Sequence, residues 1–361
     1  EPNQLKTLIQ KDSYSNNPET LLNLLIDANE ICKQHNHERI TMPDLIVSLF
    51  DFEPIFKHLL IEQNLDKSDL SELALWHESD KEYWQNKAKF WRIKNLLSQS
   101  PIGVSWAYGY PLFLRRFTED ITISFYEKRN HIDLIGRDKI MIQIEQVLAK
   151  TQGANILLVG EAGIGKRTIV LGLAQKIAAG EALPVINYKR IFEINAPLIT
   201  SSLENEREAQ NVIVSLLTEA TKIGNAILFI DGLHTTDISG ILMPFLESTK
   251  IQVIATTDPR SFHKHAGVSS SILNVFTRIN VPELDTTDIM KIIEGLIPQI
   301  EANHKIFFTY GAIKMIVEDA DKYIQNTPFP KKAVDLLNDV VSYAASQKKS
   351  LIFAQDIHDV I

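Results

Sequence analysis

Cysteine is nearly absent from this chain, and its scarcity excludes two kinds of structure. The 361 residues contain one cysteine, Cys32. Neither a disulfide framework nor a cluster of cysteine metal ligands can therefore form within the chain. A reducing compartment is the default for such a composition, so we expect a cytoplasmic location.

Long apolar runs and an excess of positive charge are also absent. No apolar run approaches the roughly 20 residues that a membrane-spanning helix needs, so we expect no membrane span within the chain. The net charge is −8 and the pI is about 5.7, which argues against nucleic acid as a general partner, a local basic patch aside. With 45% hydrophobic and 23% charged residues, the chain suits a soluble globular protein of two or three domains.

The spacing of apolar residues divides the chain in two. Apolar residues three and four apart predict amphipathic helices within residues 18–75, with Thr41 and Ser68 as helix starts. From about residue 133 short apolar runs alternate with helical segments, which predicts a parallel sheet in an α/β domain. The predicted strands are "ANILLVG", "PVINYKRIFEINA", "AILFID" and "IQVIATT". After Pro282 we expect the strands to stop and three amphipathic helices to follow.

Between these parts lies a segment rich in tryptophan. All four tryptophans fall within residues 76–110, where "KAKFWRIKNLL" interleaves basic and aromatic residues. The segment is interpreted as a helical linker whose aromatic side chains pack on a neighbouring domain. A peptide-binding surface and an interfacial membrane helix are the alternatives.

The clearest motif is a phosphate-binding loop. In "NILLVGEAGIGKRTIVLGLAQKI", Gly160-x-x-x-x-Gly165-Lys166 follows a strand and opens a helix, which is the context that a P-loop needs. The glycines let backbone N–H groups point at phosphate oxygens, and Lys166 reaches the β- and γ-phosphates. The alternative is a chance glycine-rich turn before a helix. The motif predicts ATP or ADP as the ligand.

One residue of this loop departs from the pattern. The residue after the lysine should be Ser or Thr, whose hydroxyl binds Mg²⁺, but here it is Arg167. Thr168 is turned by about 100° around the helix and is a poor substitute. A guanidinium cannot ligate a metal ion and repels it, so Arg167 either pairs with phosphate oxygens or faces solvent. In both cases we expect a weakened Mg²⁺ site.

A second buried strand ends in a carboxylate. "AILFID" runs into Asp231, as a strand does on its way to the metal ion of a nucleotide, so Asp231 is a weak candidate metal ligand. Gly232 follows, where such a site normally keeps a glutamate that activates water. Asp237 and Glu247 are the nearest carboxylates downstream, and they are interpreted as a loop residue and a solvated helix residue.

The histidines predict no metal site. His35/His37 and His263/His265 form H-x-H pairs, but no further ligands stand at zinc spacing, so they are interpreted as polar loop residues.

With both motifs in view, the chain resembles the Clp family of AAA+ protein unfoldases, in their amino-terminal region and first AAA+ module. The stretches that carry the resemblance are "PLFLRRFTEDIT", "IDLIGRDKIMIQIEQVL", "GEAGIGKRTIVLGLAQKIAAG", "AILFIDGLHTT", "IQVIATTDPRSFHK" and "FPKKAVDLLNDV". They extend over most of the chain. Because the sequence begins with Glu1 and ends where the family's second module begins, we expect a fragment.

The resemblance implies a fold and a division into domains. The fold is a P-loop AAA+ module, a parallel sheet flanked by helices with a carboxy-terminal helical lid, preceded by an all-α domain. The expected domains are a helical amino-terminal domain similar to one Clp repeat, a Trp-rich linker, the large α/β subdomain and the lid. Their expected limits are residues 1–75, 76–123, 124–282 and 283–361.

The resemblance also implies a set of nucleotide-binding residues. Ile135 and Gly136 would line the adenine pocket, Pro330 would lie near the adenine, and Thr257 would hold the polar sensor position. The remaining residues of the set are Gly160, Glu161, Ala162, Gly163, Ile164, Gly165, Lys166, Arg167, Thr168 and Asp231.

Several residues depart from the family pattern, and the departures around the nucleotide weaken ATP hydrolysis. Gly232 replaces the glutamate that polarises the attacking water, and Asn274 and Val275 stand where the family keeps paired arginine fingers. Arg278 is nearby but offset. Residues 198–207 contain no Tyr, Phe or Trp to serve as the pore-loop aromatic.

The expected function is therefore a nucleotide-binding, non-hydrolysing first AAA+ module with no assigned catalytic residue, acting in ring assembly or in regulation of a second ATPase module. The alternatives are an active unfoldase with unorthodox catalytic residues and a stand-alone regulatory scaffold. The expected partners are copies of the chain in a hexameric ring, protein substrates or adaptors bound by the amino-terminal helices, and a peptidase.

Overall fold

A computed structural model of the chain describes residues 18–35, 39–62, 65–88, 112–128, 132–187, 189–194, 206–233, 239–247, 251–262 and 274–360. The chain divides into two compact units, Glu1–Ala88 and Lys89–Ile361. The expected domain limits at residues 75, 123 and 282 stay a prediction.

The first unit is built from amphipathic helices, as its apolar spacing predicts. Those described are α1 (Pro18–Gln34), α2 (Met42–Phe52), α3 (Pro54–Glu62) and α4 (Lys67–Ala88). Their apolar faces bury a small core of Ile31, Val47, Phe50, Leu70 and Ala74. Helix α4 continues beyond residue 75, so it reaches into the Trp-rich segment.

Two helix starts were predicted in this unit, and one of them is shifted. Thr41 precedes α2 as expected, and both its backbone N–H and its hydroxyl donate to Asp44 Oδ2 at 2.9 Å. At α4 the prediction of Ser68 is wrong, because Asp66 Oδ1 accepts the backbone N–H of Asp69 at 3.0 Å. Carboxylates and hydroxyls cap helices about equally well, so the pattern did not distinguish them.

His35 is not the polar loop residue that the sequence suggested. Its side chain is only 6% exposed. Nδ1 lies 3.1 Å from Asp44 Oδ1 and Nε2 lies 2.7 Å from Ser71 Oγ, so the ring joins the end of α1 to α2 and α4. His37 and the pair His263/His265 lie outside the described residues. Within those residues, no group of three or more His, Cys, Asp or Glu side chains could hold a metal ion.

The second unit begins with alternating strands and helices. Its strands up to Asn280 are β1 (Thr118–Asp120), β2 (Ile156–Val159), β3 (Arg190–Ile194), β4 (Ala226–Ile230), β5 (Gln252–Thr257) and β6 (Thr277–Asn280). The helices described between them are α5 (Leu112–Phe117), α6 (Ile121–Lys128), α7 (Asp138–Leu148), α8 (Lys166–Ala178), α9 (Glu206–Ile223) and α10 (Ser239–Leu246).

These strands form one sheet in the order β1-β3-β4-β5-β2-β6. All neighbours are parallel except β1, which pairs antiparallel with β3. The predicted parallel sheet is confirmed, although β3 is shorter than predicted because residues 184–187 form turns. Since β4, β5 and β2 are adjacent and parallel, the segments that follow them meet at one edge of the sheet.

The sheet is buried on both faces, which explains its continuous apolar strands. Successive residues of β4 illustrate this. Leu228 and Ile230 pack into a core shared with α9, whereas Ile227 and Phe229 pack into a core shared with α7 and α8. All four side chains are at most 1% exposed. The sheet is therefore a rigid support for the loops at its carboxyl edge.

The last part of the chain is the predicted helical subdomain. It contains α11 (Thr286–His304), α12 (Tyr310–Tyr323), α13 (Lys331–Gln347) and α14 (Ala354–His358). The expectation that strands stop after Pro282 is wrong, because β7 (Phe307–Phe308) and β8 (Leu351–Ile352) form a parallel pair. Strands of two residues are too short to give a periodic signal.

Two further predictions concern segments outside the described residues. The pore-loop segment largely falls in the gap at 195–205, and the Trp-rich segment in the gap at 89–111. Within the described ranges, no helix combines the length and apolar character needed to cross a membrane.

Candidate nucleotide-binding site

The phosphate-binding loop joins β2 to α8, as the sequence predicts. Gly163 and Gly165 have φ angles of 91° and 93°, in the left-handed region that favours glycine. The loop is tied to the neighbouring strand, because the backbone N–H of Gly160 donates to the carbonyl of Thr257 at 3.2 Å. Helix α8 then starts at Lys166, so its amino terminus faces the loop.

Lys166 lies folded against this loop. Its Nζ donates to the carbonyls of Gly160 at 2.7 Å and Glu161 at 2.9 Å. Burial lowers the pKa of Lys166, and the carboxylates of Asp231, Asp258 and Glu161 oppose that effect. The ammonium group therefore lies where a phosphate of a bound nucleotide could exchange with loop carbonyls.

The carboxylate of Asp231 follows β4 and is held by the next strand. Thr256 donates its hydroxyl to Asp231 Oδ1 at 2.5 Å and accepts the backbone N–H of Gly232 at 2.8 Å. Thr256 is 1% exposed, so it fixes both residues from inside the sheet. Sequence reasoning selected Thr257 instead and missed Thr256. The only available signal was that the two threonines adjoin at the end of β5.

Gly232 itself adopts a conformation that disfavours other residues. Its φ angle is 72°, within the left-handed region. An L-residue there costs about 1–2 kcal/mol. The position therefore lacks the side chain that would activate water, and its backbone is also unsuited to one.

Arg167 forms an ion pair within the chain. Its Nε and one terminal nitrogen donate to Glu193 Oε1 and Oε2 at 2.9 and 2.7 Å. Glu193 lies on β3, and its side chain is 14% exposed. The ion pair with Glu193 was not predicted. The side chain is nevertheless 52% exposed, in agreement with the interpretation that it faces solvent, while the contact with phosphate stays a prediction. Thr168 is exposed on α8.

Gly136, one of the adenine-side candidates, lies close to the start of α11. Gly136 has a φ angle of 68°, and a Cβ added there would lie 2.2 Å from Asp288 Oδ2. The next residue, Arg137, was missed by sequence reasoning. It is 4% exposed and donates to the carbonyls of Pro282 at 2.7 Å and Ile164 at 2.9 Å.

The helical subdomain reaches the phosphate-binding loop through the start of α13. Pro330 precedes that helix, and Lys331 lies against Gly163. A Cβ added at Gly163 would lie 2.7 Å from Lys331 Cδ, so only glycine leaves room for this contact. Ile135 is half-buried, whereas Glu161 and Ala162 are exposed.

The residues at the expected arginine-finger position do not supply a cation. Asn274 is exposed and Val275 packs against the core beside α9. Arg278, the nearest arginine that follows, donates to Asn280 Oδ1 at 2.7 Å and lies 4.4 Å from the centre of the Phe262 ring. Glu247 is exposed after α10, while Asp237 lies outside the described residues.

A phosphate-binding loop implies Mg²⁺, but the residues of this site do not fit that ion. Mg²⁺ requires an octahedral set of oxygen ligands. The expected hydroxyl ligand is replaced by Arg167, whose guanidinium cannot ligate and is attracted by Asp231. One oxygen of Asp231 already accepts the hydroxyl of Thr256. The site can hold a polyphosphate through loop N–H groups and Lys166, but it has a poor set of metal ligands.

Two protein-family models of AAA type match the part of the chain that contains this site. A family described as "AAA domain (dynein-related subfamily)" matches residues 155–291. A family described as "AAA lid domain" matches residues 285–359. The two matches together cover the P-loop, Asp231 and the helical subdomain.

The curated relatives of this chain include several Clp proteins. A probable ATP-dependent Clp protease ATP-binding subunit of Chlamydia pneumoniae is 31% identical over 64% of this chain and 28% of its own length. The chaperone protein ClpB of Oceanobacillus iheyensis is 30% identical over 63% of this chain and 29% of its own. The negative regulator of genetic competence ClpC/MecB of Bacillus subtilis is 30% identical over 60% and 28%. The chain thus spans less than a third of the length of these relatives.

Solved structures support the fold. The S. cerevisiae Hsp104–ADP complex matches with a TM-score of 0.64 and 23% identity, over 68% of this chain and 44% of that one. The S. cerevisiae Hsp104:casein complex in its extended conformation matches with a TM-score of 0.62, 23% identity and the same shares of the two chains.

Proposed function

Because this chain belongs to the Clp-type AAA+ family, we propose that its second unit binds ATP or ADP and hydrolyses ATP at no more than a background rate. The observation that carries this proposal is the pairing of an intact phosphate-binding loop with Gly232 next to Asp231. The proposal is supported by Lys166, which lies against the loop, and by Gly163 and Gly165, whose positive φ angles suit a loop that wraps around a phosphate. Gly232 has no side chain to polarise water.

The expected loss of catalytic groups is large enough to reduce ATP hydrolysis to a background rate, and not only to slow it. A general base typically contributes about 10²–10⁴ in rate. An arginine finger contributes about 10³–10⁵ in well-studied phosphoryl transfer. Asn274 and Val275 cannot replace such a finger, and the nearby Arg278 is engaged by Asn280 and Phe262. Either loss alone would suppress a slow motor.

The role that fits a silent module is assembly or regulation. We infer that residues 124–282 and 283–361 act as the large subdomain and lid of a first AAA+ module in a hexameric ring, where nucleotide binding supports assembly or gates a second, active module. A peptidase is a candidate partner, because one relative is named as the ATP-binding subunit of a Clp protease. A cytoplasmic location belongs to the same proposal.

The amino-terminal helices are the proposed site for protein substrates or adaptors. Helix α1 exposes Leu21, Leu22 and Ile26, which are 64%, 61% and 53% accessible to solvent. Exposed apolar side chains grouped on one helix are typical of protein-binding surfaces.

The proposal is tested by measuring nucleotide binding and phosphate release on the same preparation. We expect saturable binding of ATP and ADP, phosphate release at the rate of a protein-free control, and strongly weakened binding in Lys166→Ala. Robust release that Lys166→Ala abolishes would show an active enzyme with unorthodox catalytic residues. Absence of any nucleotide binding would instead favour a regulatory scaffold.

A further inference from the structure

The position that normally supplies a metal ligand is occupied by a fixed cation. Arg167 is the second residue of α8, directly after the phosphate-binding lysine. Its two hydrogen bonds to Glu193 hold the plane of the guanidinium, since bidentate arginine–carboxylate pairs are directional as well as strong. The cation is therefore held in place before any nucleotide arrives.

The surroundings of Arg167 are acidic. Glu119 on β1 lies directly opposite Glu193 on β3 in the antiparallel register, and like charges in such a pair destabilise a sheet. The hydrogen bond to Glu193 raises the pKa of Arg167 most, and the charges of Glu193, Glu119 and Asp231 raise it further. The guanidinium thus neutralises carboxylates that would otherwise attract a divalent ion.

The same guanidinium has donors left for a phosphate. A guanidinium carries five N–H donors, and Glu193 accepts from one edge of it. The side chain of Arg167 is 52% exposed, so its other edge is accessible. Arginine binds phosphate oxygens in this geometry without a metal ion.

We propose that the Arg167–Glu193 pair takes the place of Mg²⁺, so that this module binds nucleoside di- and triphosphates without any divalent cation. Arg167 contacts the phosphates, and Glu193 is a positioning residue that orients the guanidinium. This inference rests on the proposed nucleotide binding. It identifies Arg167 as the positive charge that replaces Mg²⁺.

The test compares the dissociation constant for ATP in Mg²⁺ with that in EDTA, using the full chain. We expect wild type to bind equally well in both, within about twofold. Arg167→Thr restores a hydroxyl beside Asp231 and removes the cation. It should bind about tenfold more weakly in EDTA, since hydrogen bonds to charged groups are worth about this factor, and recover affinity when Mg²⁺ is added.

Glu193→Gln provides the second variant and keeps the shape of the side chain. It should weaken binding in EDTA by several-fold without creating a Mg²⁺ requirement, because Arg167 keeps its charge but loses its orientation. Arg39→Thr, an exposed arginine of the first unit, is the matched charge control and should change neither constant. Thermal unfolding of each variant verifies that it is folded.

The outcomes separate this inference from the function on which it rests. Wild-type binding that occurs only with Mg²⁺ overturns the role of Arg167 and leaves nucleotide binding intact. An Arg167→Thr variant with unchanged affinity in EDTA also overturns it. Absence of binding under both conditions removes the proposed function and this inference together.

Discussion

The phosphate-binding loop and the end of β4 lie at the same edge of the sheet with the end of β5 between them, yet they differ in the functional residues that they keep. The loop retains its glycines, of which Gly163 and Gly165 have positive φ angles, and its lysine beside acidic groups. The end of β4 retains Asp231, but Gly232 has no side chain and Asp231 is bonded to Thr256. Because phosphate binding and activation of water would use different segments, we propose that this module keeps the first and has lost the second.

The largest effect is expected for a substitution at the phosphate-binding loop. Lys166→Ala removes the ammonium that we propose binds the phosphates of ATP, and a hydrogen bond to a charged group is worth about 1.5–3 kcal/mol. We expect the dissociation constant for ATP to rise by about 100-fold, measured by titration with a fluorescent nucleotide. Unchanged affinity would mean that nucleotide binds elsewhere.

A second substitution examines the helix that carries the loop. A Cβ added at Gly172 in α8 would lie 1.9 Å from Leu134 Cδ1, so Gly172→Ala should destabilise the second unit by about 1–3 kcal/mol. Chemical denaturation measures this change. Gly295→Ala in α11 is the matched control, because a Cβ there meets nothing within 4 Å, and it should be neutral or slightly stabilising. Equal effects of both substitutions would contradict the close packing of Gly172 against Leu134.

The third substitution adds the carboxylate that the end of β4 lacks. Gly232→Glu adds the missing carboxylate but places it on a backbone with a φ angle of 72°. We expect a loss of about 1–2 kcal/mol in stability and phosphate release that stays at background, because Asn274 and Val275 occupy the positions at which we expect the arginine fingers. A large gain in phosphate release would show that Gly232 alone silences the site.

The smallest effect is expected at Thr256. Thr256→Val removes the hydroxyl that bonds Asp231 and Gly232, which should lower stability by about 1 kcal/mol. Affinity for ATP in EDTA should not change, because the phosphate-binding loop is untouched. A marked loss of that affinity would mean that Asp231 and Thr256 take part in binding as well as in holding the strand end.

Features that depend on residues close together in the sequence could be predicted from it. The strand, the glycines and Lys166 form one continuous segment, and Asp231 follows directly from its strand, so both were predictable. The contacts that Arg167, Asp231 and Arg137 make could not be predicted from the sequence. Glu193, Thr256 and Pro282 are distant in sequence and meet these residues only through the strand order.

Short edge elements were missed for a related reason. Strands β1 and β6 have three and four residues and lie at the two edges of the sheet, where exposed and partly buried residues mix. Such segments give no clear alternation. They nevertheless matter to the site, because β1 places Glu119 opposite Glu193.

The most direct test of the central claim is the fate of ATP that is already bound. Wild-type protein saturated with ATP and separated from free nucleotide should retain ATP over hours, with ADP formed no faster than in buffer, when the bound nucleotide is released and quantified by chromatography. Conversion of the bound ATP to ADP within minutes, absent in protein with Lys166→Ala, would contradict the account.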